Sequence, residues 1–204
     1  MSPELETKAL LGRGVVDIYG RQLGRIIGID RNVHGELEGI QVEVAGNGIL
    51  TAGARQIALT PKNITLTPEW KVESQDIISE LTVLRKRVIA LESLKDAKEI
   101  DGEIYSEILE GQKAGYLEKV KTAEALADSM KAKLGQIASQ LSSLTKYLVN
   151  AKLDHKSGAL DESALRIARD SIEPSLRPLI AERNDLTTVV KSLETVLPAR
   201  VSMS

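Results

Sequence analysis

Cysteine and phenylalanine are both absent from this 204-residue chain, and tryptophan occurs once, as Trp70. Without cysteine the protein has no disulfide, no thiolate metal ligand and no thiol nucleophile, which fits a cytoplasmic location. Aromatic residues make up only 2% of the chain, although compact cores usually draw much of their buried area from aromatic rings. This composition favours slender helical bundles packed by aliphatic side chains.

Charge of one sign is not in excess, because 27 basic and 29 acidic residues give a formal net charge of -2. Residues 1–70 and residues 71–204 each carry one more acid than base, so neither part has the bulk positive charge typical of nucleic-acid binders. No apolar run approaches the roughly 20 residues that span a bilayer. The N-terminus also lacks the basic and apolar segments of a signal peptide.

The chain lacks a recognisable catalytic or metal-binding group of residues. His34 and His155 are far apart, and neither has a second histidine at metal-ligand spacing. Asp17-Ile18-Tyr19-Gly20 matches the DxxG pattern of GTPases, but no P-loop accompanies it, so a turn after a strand is favoured. We predict that the protein is not an enzyme and uses no cofactor, metal or small-molecule substrate.

Residues 12–66 consist of short β-like runs separated by turn residues, and they hold 10 of the 15 glycines. From Leu37 to Val44, apolar and polar residues alternate with the period of a half-buried strand. Asn47-Gly48 follows as a hairpin signal. About six short strands are expected, and they predict a small closed barrel within residues 1–69.

Residues 69–173 contain no proline and carry apolar residues in heptads. This spacing places the apolar residues on one helix face, which needs a partner helix. The partner lies in the same chain, as a hairpin against residues 74–94 or 160–197, or in a second chain, as a dimer or filament; the pattern allows both. The proposed self-assembly seam consists of Ile77, Leu81, Leu84, Val88, Leu91, Met130, Leu134, Ile137, Leu141, Leu144 and Leu148.

Two breaks interrupt the helical pattern, near residues 100 and 158. Gly102 and Gly158 are each followed two residues later by Ile or Leu, which suggests a weak internal repeat. A new helix is expected in the region of Pro174, with Pro178 kinking it or marking a later start. We assign residues 70–197 to a helical coiled-coil domain and residues 198–204 to a flexible tail. The predicted fold is therefore α+β and multidomain, a small all-β barrel followed by a long coiled coil.

The two domains meet at Thr67-Pro68-Glu69-Trp70. Pro68 restrains the preceding residue to extended geometry, so it suits a chain leaving the barrel. We expect Trp70 to pack the first helical turn against the barrel wall. Pro68 and Trp70 would then form a rigid junction between barrel and helix.

Arg85, Lys86 and Arg87 form a basic run on the first helix. The simpler interpretation is a solvated helix face whose charges pair with nearby acids in the chain. The more specific interpretation is a contact for nucleic acid or anionic lipid.

The segments 66–74, 85–87 and 90–94 resemble the barrel–coil junction of the CdvA family of archaeal cell-division proteins, and 16–21 with Gly24 are similar to the opening of its PRC-barrel domain. The resemblance covers roughly residues 10–195. It implies a division scaffold that forms dimers and filaments through its coil and recruits the ESCRT-III homologue CdvB to the division site, on the inner face of the membrane.

The resemblance further implies DNA as a partner and an indirect or peripheral association with the membrane. In the family, the peptide that recruits CdvB ends a longer C-terminal tail, whereas this sequence stops at Ser204, soon after the coil. A different interpretation treats the chain as an adaptor. In that case the PRC-type barrel binds a protein or nucleic-acid partner, and the coil serves only as a dimerisation arm.

Overall fold

The computed structural model describes residues 10–44, 46, 48–60 and 63–197. It confirms an N-terminal β domain followed by long helices. The strands are β1 Gly14–Asp17, β2 Gln22–Arg31, β3 Leu37–Val44, β4 Gly48–Gly53, β5 Ile57–Leu59 and β6 Ile64–Leu66, with a 3-10 helix at Ala54–Gln56. The helices are α1 Glu69–Asp96, α2 Gly102–Lys156 and α3 Glu162–Val196.

The six strands form one sheet in the order β4-β3-β2-β1-β6-β5. All pairings are antiparallel except that of β1 with β6, which is parallel. Both edge strands contribute to a single core, because Ala52 of β4 is buried in it and Ile57 of β5 packs against it. The buried cluster comprises Leu10, Val15, Ile26, Ile40, Val42, Ala52, Ile64 and Leu66.

The sheet is barrel-like but not closed by hydrogen bonds in the part of the chain that is described. β4 and β5 are its two edges, and the 3-10 helix carries the chain from one edge to the other. The Gln56 side chain accepts the Gly53 backbone N–H at 2.9 Å, which ends β4 before it meets β5. The expected closed barrel is therefore replaced by an open one that shares a single core.

The α1 and α2 helices form an antiparallel hairpin within one chain. Lys119 of α2 contacts Glu80 of α1 at 2.6 Å between Nζ and Oε2. Glu80 lies about as far before the end of α1 as Lys119 lies after the start of α2, which is the relation expected of paired antiparallel helices. Lys131 of α2 likewise contacts Glu194 of α3 at 2.8 Å.

The turns at 97–101 and 157–161 have the same backbone construction. In the first, the N–H groups of Lys98 and Glu99 donate to the carbonyls of Lys95 and Leu94. In the second, those of Gly158 and Ala159 donate to His155 and Asp154. Each pattern is a Schellman motif, which satisfies the last carbonyls of the preceding helix.

An aspartate then begins the next helix in each turn. Asp101 Oδ1 accepts the N–H of Ile104, and Asp161 Oδ1 accepts that of Ala164, both at 2.8 Å. The hydrogen bond from the Ala164 N–H, together with one from the Ser163 side chain, lowers the pKa of Asp161. The internal repeat is therefore present, but with a different alignment from the predicted one. Gly158, at φ 79°, matches Lys98, at φ 59°, whereas Gly102 is the first residue of α2.

The α3 helix runs continuously through Pro174 and Pro178, so the expected helix start near Pro174 is wrong. Apolar packing at Leu186, Val190 and Leu193, all buried, stabilises the helix beyond these prolines.

The described residues fall into two compact units, one within 1–72 and 139–183 and the other within 73–138 and 184–204. The β domain therefore shares its unit with the turn that joins α2 to α3. The predicted tail, residues 198–204, lies outside the described residues. Within the described ranges, no helix is long and apolar enough to cross a membrane, and no cluster of His, Asp and Glu is arranged to hold a metal ion.

Candidate assembly surface

The predicted seam residues are largely covered by the chain's own helices. Ile77, Leu81, Leu91, Met130, Ile137 and Leu148 are buried in the single chain, and the other five seam residues are half-buried. These five are Leu84, Val88, Leu134, Leu141 and Leu144. The heptads therefore place six of these residues in intramolecular packing, and the hairpins leave the other five only partly covered.

The α1–α2 hairpin leaves an apolar groove of about 480 Å³. We call it the hairpin groove. Its walls come from both helices of the hairpin, and the predicted seam residues Leu84 and Val88 lie in it. The lining residues are Leu84, Arg85, Val88, Ile89 and Glu92 of α1, and Leu109, Gln112, Lys113, Tyr116 and Leu117 of α2.

Large apolar side chains remain exposed in and around the hairpin groove. Ile89 is 56% exposed and Leu117 is 49% exposed. Val83, Leu94, Ile104 and Ile108 of the same hairpin are also exposed but do not line the groove. Exposed aliphatic residues that share one groove, as Ile89 and Leu117 do, are typical of an interaction surface, whereas single exposed apolar residues are ordinary.

One polar atom in the hairpin groove is also poorly satisfied. Gln112 Oε1 is buried and accepts no hydrogen bond from the described residues. A buried acceptor without a donor costs about 1–3 kcal/mol.

The charges at the hairpin groove are mixed in sign. Arg85 and Lys113 lie beside Glu92 in its lining. Of the basic run, Arg85 borders the groove, whereas Lys86 and Arg87 are exposed without lining it. The structure therefore separates the three basic residues into one beside the apolar surface and two directed elsewhere.

The junction residues lie where the β domain passes into α1. The Thr67 N–H donates to the Gln56 carbonyl at 2.8 Å, and the Pro68 carbonyl accepts the N–H of Lys71 at 3.0 Å. Trp70 is half-buried, and its Nε1 is shielded from solvent with no acceptor among the described residues. Both Pro68 and Trp70 belong to the same compact unit as the sheet.

A buried ion cluster in that unit was not predicted from the sequence. Arg21 Nε donates to Asp17 Oδ2 at 2.5 Å, and Arg21 Nη1 donates to Glu182 Oε2 at 2.7 Å. Asp17 Oδ1 also accepts the N–H groups of Tyr19 and Arg21. Asp17 and Glu182 are both buried, so this cluster connects the β1–β2 turn to α3.

The electrostatics of the cluster favour a charged arginine. Partial burial lowers the pKa of Arg21, but the hydrogen bonds and charges of Glu182 and Asp17 outweigh it, so the pKa is raised. The Tyr19 ring lies 5.3 Å from the guanidinium carbon and adds a cation–π contact. Arg21 and Glu182 are 161 residues apart in the sequence, so no local sequence pattern could have revealed their contact.

A barrel-like β domain followed by long helices, with an apolar groove on the α1–α2 hairpin, defines an α+β protein with a helical coiled-coil domain. A family model described as the CdvA-like coiled-coil domain matches residues 69–203. The chain is also 25% identical over 191 residues to Cell division protein A of Sulfolobus acidocaldarius, a match covering 94% of this chain and 79% of that protein. The chain belongs to the CdvA-like family, which gives it a role related to cell division.

Proposed function

We propose that the protein is a non-enzymatic scaffold of cell division that self-associates through its helices into dimers and filaments. We further propose that it recruits an ESCRT-III homologue of the CdvB type to the division site, on the inner face of the membrane. Family membership and the name of the Sulfolobus relative support the division role. The resemblance to the family supports the recruited partner.

The hairpin groove is the observation that carries self-association. Leu84 and Val88 belong to the predicted seam, yet the hairpin only half covers them. Ile89 and Leu117 beside them remain exposed. Removing this apolar surface from water is favourable by about 25 cal/mol per Å², which gives a second copy a reason to bind there.

The charges at the groove suit a two-fold pairing with α1 helices antiparallel. Arg85 and Glu92 are one heptad apart on the same face of α1 and both line the groove. A two-fold axis near Val88 and Ile89 would bring Arg85 of each copy opposite Glu92 of the other. Such cross-pairing determines register and orientation more than affinity.

DNA and membrane contacts belong to the same proposal. Lys86 and Arg87, which are exposed and do not line the groove, would contact a phosphate-bearing surface. The association with the membrane would be peripheral or indirect, through the recruited partner. No small-molecule substrate enters this function.

The test is the association state of the purified chain and of Ile89→Lys, followed by sedimentation velocity and electron microscopy. We expect the wild type to form dimers and filaments. We expect Ile89→Lys to lose the groove-mediated dimer, because it places a charge at the centre of the apolar surface. Ile89 is better suited to this test than Leu134 or Leu141, which are half-buried within the chain.

Ile167→Lys is the matched control. Ile167 is an equally large side chain on α3, 65% exposed, and Ile89 is 56% exposed. Circular dichroism should show the same helicity for both variants. A wild type that stays monomeric at all concentrations, or an Ile89→Lys variant that associates as the wild type does, would overturn the proposal.

A further inference from the structure

The outer edge of β4 is a free edge of the sheet and lacks the features that usually protect such an edge. Within the described residues β4 pairs only with β3. Ile49 is 62% exposed and Leu50 is 40% exposed. An edge of this kind presents unpaired backbone N–H and C=O groups next to apolar side chains, which is a template for a further strand.

The usual means of protecting a sheet edge are missing from β4. Its sequence, GILTAG, contains no charged residue and no proline. Its pairing with β3 runs from Gly48 to Gly53 without a bulge, whereas the β1–β2 and β2–β3 pairings both contain irregularities. The opposite edge, β5, has only three residues. Natural proteins protect free edges with charge, proline, bulges or short strands, so β4 has the properties of a strand that is covered in use.

We propose that β4 pairs antiparallel with β4 of a second copy of this chain, about a two-fold axis at Leu50. The proposal rests on the self-assembly proposed above. A single two-fold interface such as the hairpin groove closes on itself and yields only a dimer. An open filament therefore needs a second contact, and a two-fold β4 contact alternating with a two-fold groove contact produces one.

The alternation of side chains restricts the register of this pairing. Leu50 lies on the same face of β4 as Ala52, which is buried in the core. In a sheet that continues through two copies, the core-facing side chains of both β4 strands must lie on the same face of the sheet. A shift of the pairing by one residue would move the core-facing side chains of one copy to the opposite face. An axis at Leu50 meets this condition, placing Leu50 opposite Leu50 and Ile49 opposite Thr51 of the partner copy.

Electrostatics favour a second copy over a charged peptide as the occupant. Glu43 of β3 lies opposite Ile49 and contacts Arg25 of β2 at 2.7 Å, so these two charges neutralise each other. An uncharged edge can approach an identical uncharged edge without repulsion, and cross-strand aliphatic pairs of this kind each contribute about 0.2–1 kcal/mol.

The absence of cysteine allows a direct test of the register. In Leu50→Cys the two engineered thiols would lie directly opposite, with Cβ atoms about 4.5–5.5 Å apart, close enough for a disulfide to form. We expect most of this variant to become a cross-linked dimer under mild oxidation. Leu59→Cys, a similarly exposed leucine on the β5 edge, should form only traces. No dimer in Leu50→Cys, or equal cross-linking in both variants, would overturn the proposal.

A second variant separates this contact from the hairpin groove. Ile49→Lys should abolish filaments but leave the groove-mediated dimer, whereas Val33→Lys, at a fully exposed turn residue, should leave filaments intact. Filaments that persist in Ile49→Lys would contradict the β4 contact. If self-association through the groove fails instead, Leu50→Cys still cross-links, so the two failures are distinguishable.

Discussion

At the scale of single residues, Lys98 is the clearest departure from local preference. It is the one non-glycine residue with positive φ in the described part of the chain, at 59°. The left-handed conformation costs an L-residue roughly 1–2 kcal/mol, and glycine avoids this cost. The equivalent position in the second turn is Gly158, at φ 79°. The two turns therefore share hydrogen bonds but differ in backbone strain.

We expect Lys98→Gly to stabilise the protein by about 0.5–1 kcal/mol, since relief of strain exceeds the extra freedom that glycine gives the unfolded chain. Gly158→Lys introduces the same strain into the second turn and should destabilise by about 1 kcal/mol. Urea denaturation of both variants measures these changes. Stabilisation by Gly158→Lys, or destabilisation by Lys98→Gly, would contradict the assignment of backbone strain to a non-glycine residue at this turn position.

At the scale of secondary-structure elements, the ion pairs of Arg21 with Asp17 and Glu182 connect α3 to the β1–β2 turn. Replacing Arg21 with Met would remove the guanidinium that contacts the buried carboxylates of Asp17 and Glu182. Loss of one partner from a fully buried ion pair costs about 3–5 kcal/mol. Because Arg21 is 36% exposed, solvent screening reduces this, and we expect Arg21→Met to cost about 2–3 kcal/mol.

The control for Arg21→Met is Arg25→Met, which removes an ion pair of the same length on the same sheet. Arg25 and Glu43 are both exposed, so its loss should cost less than about 1 kcal/mol. The double variant Arg21→Met with Glu182→Met should recover part of the loss, since it removes one of the buried charges. Equal losses for the Arg21 and Arg25 variants in thermal unfolding would argue against a fastening role.

The elements that were predictable are those encoded by short-range patterns. Alternation from Leu37 to Val44 predicted β3, and the heptads included the buried residues Ile77, Leu81 and Leu91 of α1 and Met130, Ile137 and Leu148 of α2. A heptad does not say how fully its face is covered, so the half-burial of Leu84 and Val88 could not be read from it. The left-handed Lys98 had no sequence signal, because lysine does not favour that conformation. The contact of Arg21 with Glu182 depends on tertiary packing alone.

At the scale of the whole molecule, the near balance of charge limits what the protein can bind electrostatically. With a net charge of -2, the chain has no general attraction for polyanions. Any affinity for DNA must come from a local group such as Arg85, Lys86 and Arg87. Since Arg85 lines the hairpin groove, Lys86 and Arg87 are the two residues that can be changed without altering the apolar surface.

We expect the double substitution Lys86→Glu with Arg87→Glu to weaken DNA binding by the whole chain while self-association is retained. Each phosphate contact that is lost removes about 0.9 from the slope of log affinity against log salt, so the slope should fall by about 1.8. Fluorescence anisotropy with a labelled duplex at several salt concentrations measures this slope. Lys146→Glu with Lys152→Glu changes the net charge equally at exposed sites elsewhere on α2. A similar loss in both double variants would assign the binding to overall charge, whereas no loss in either would remove the basic run from the function.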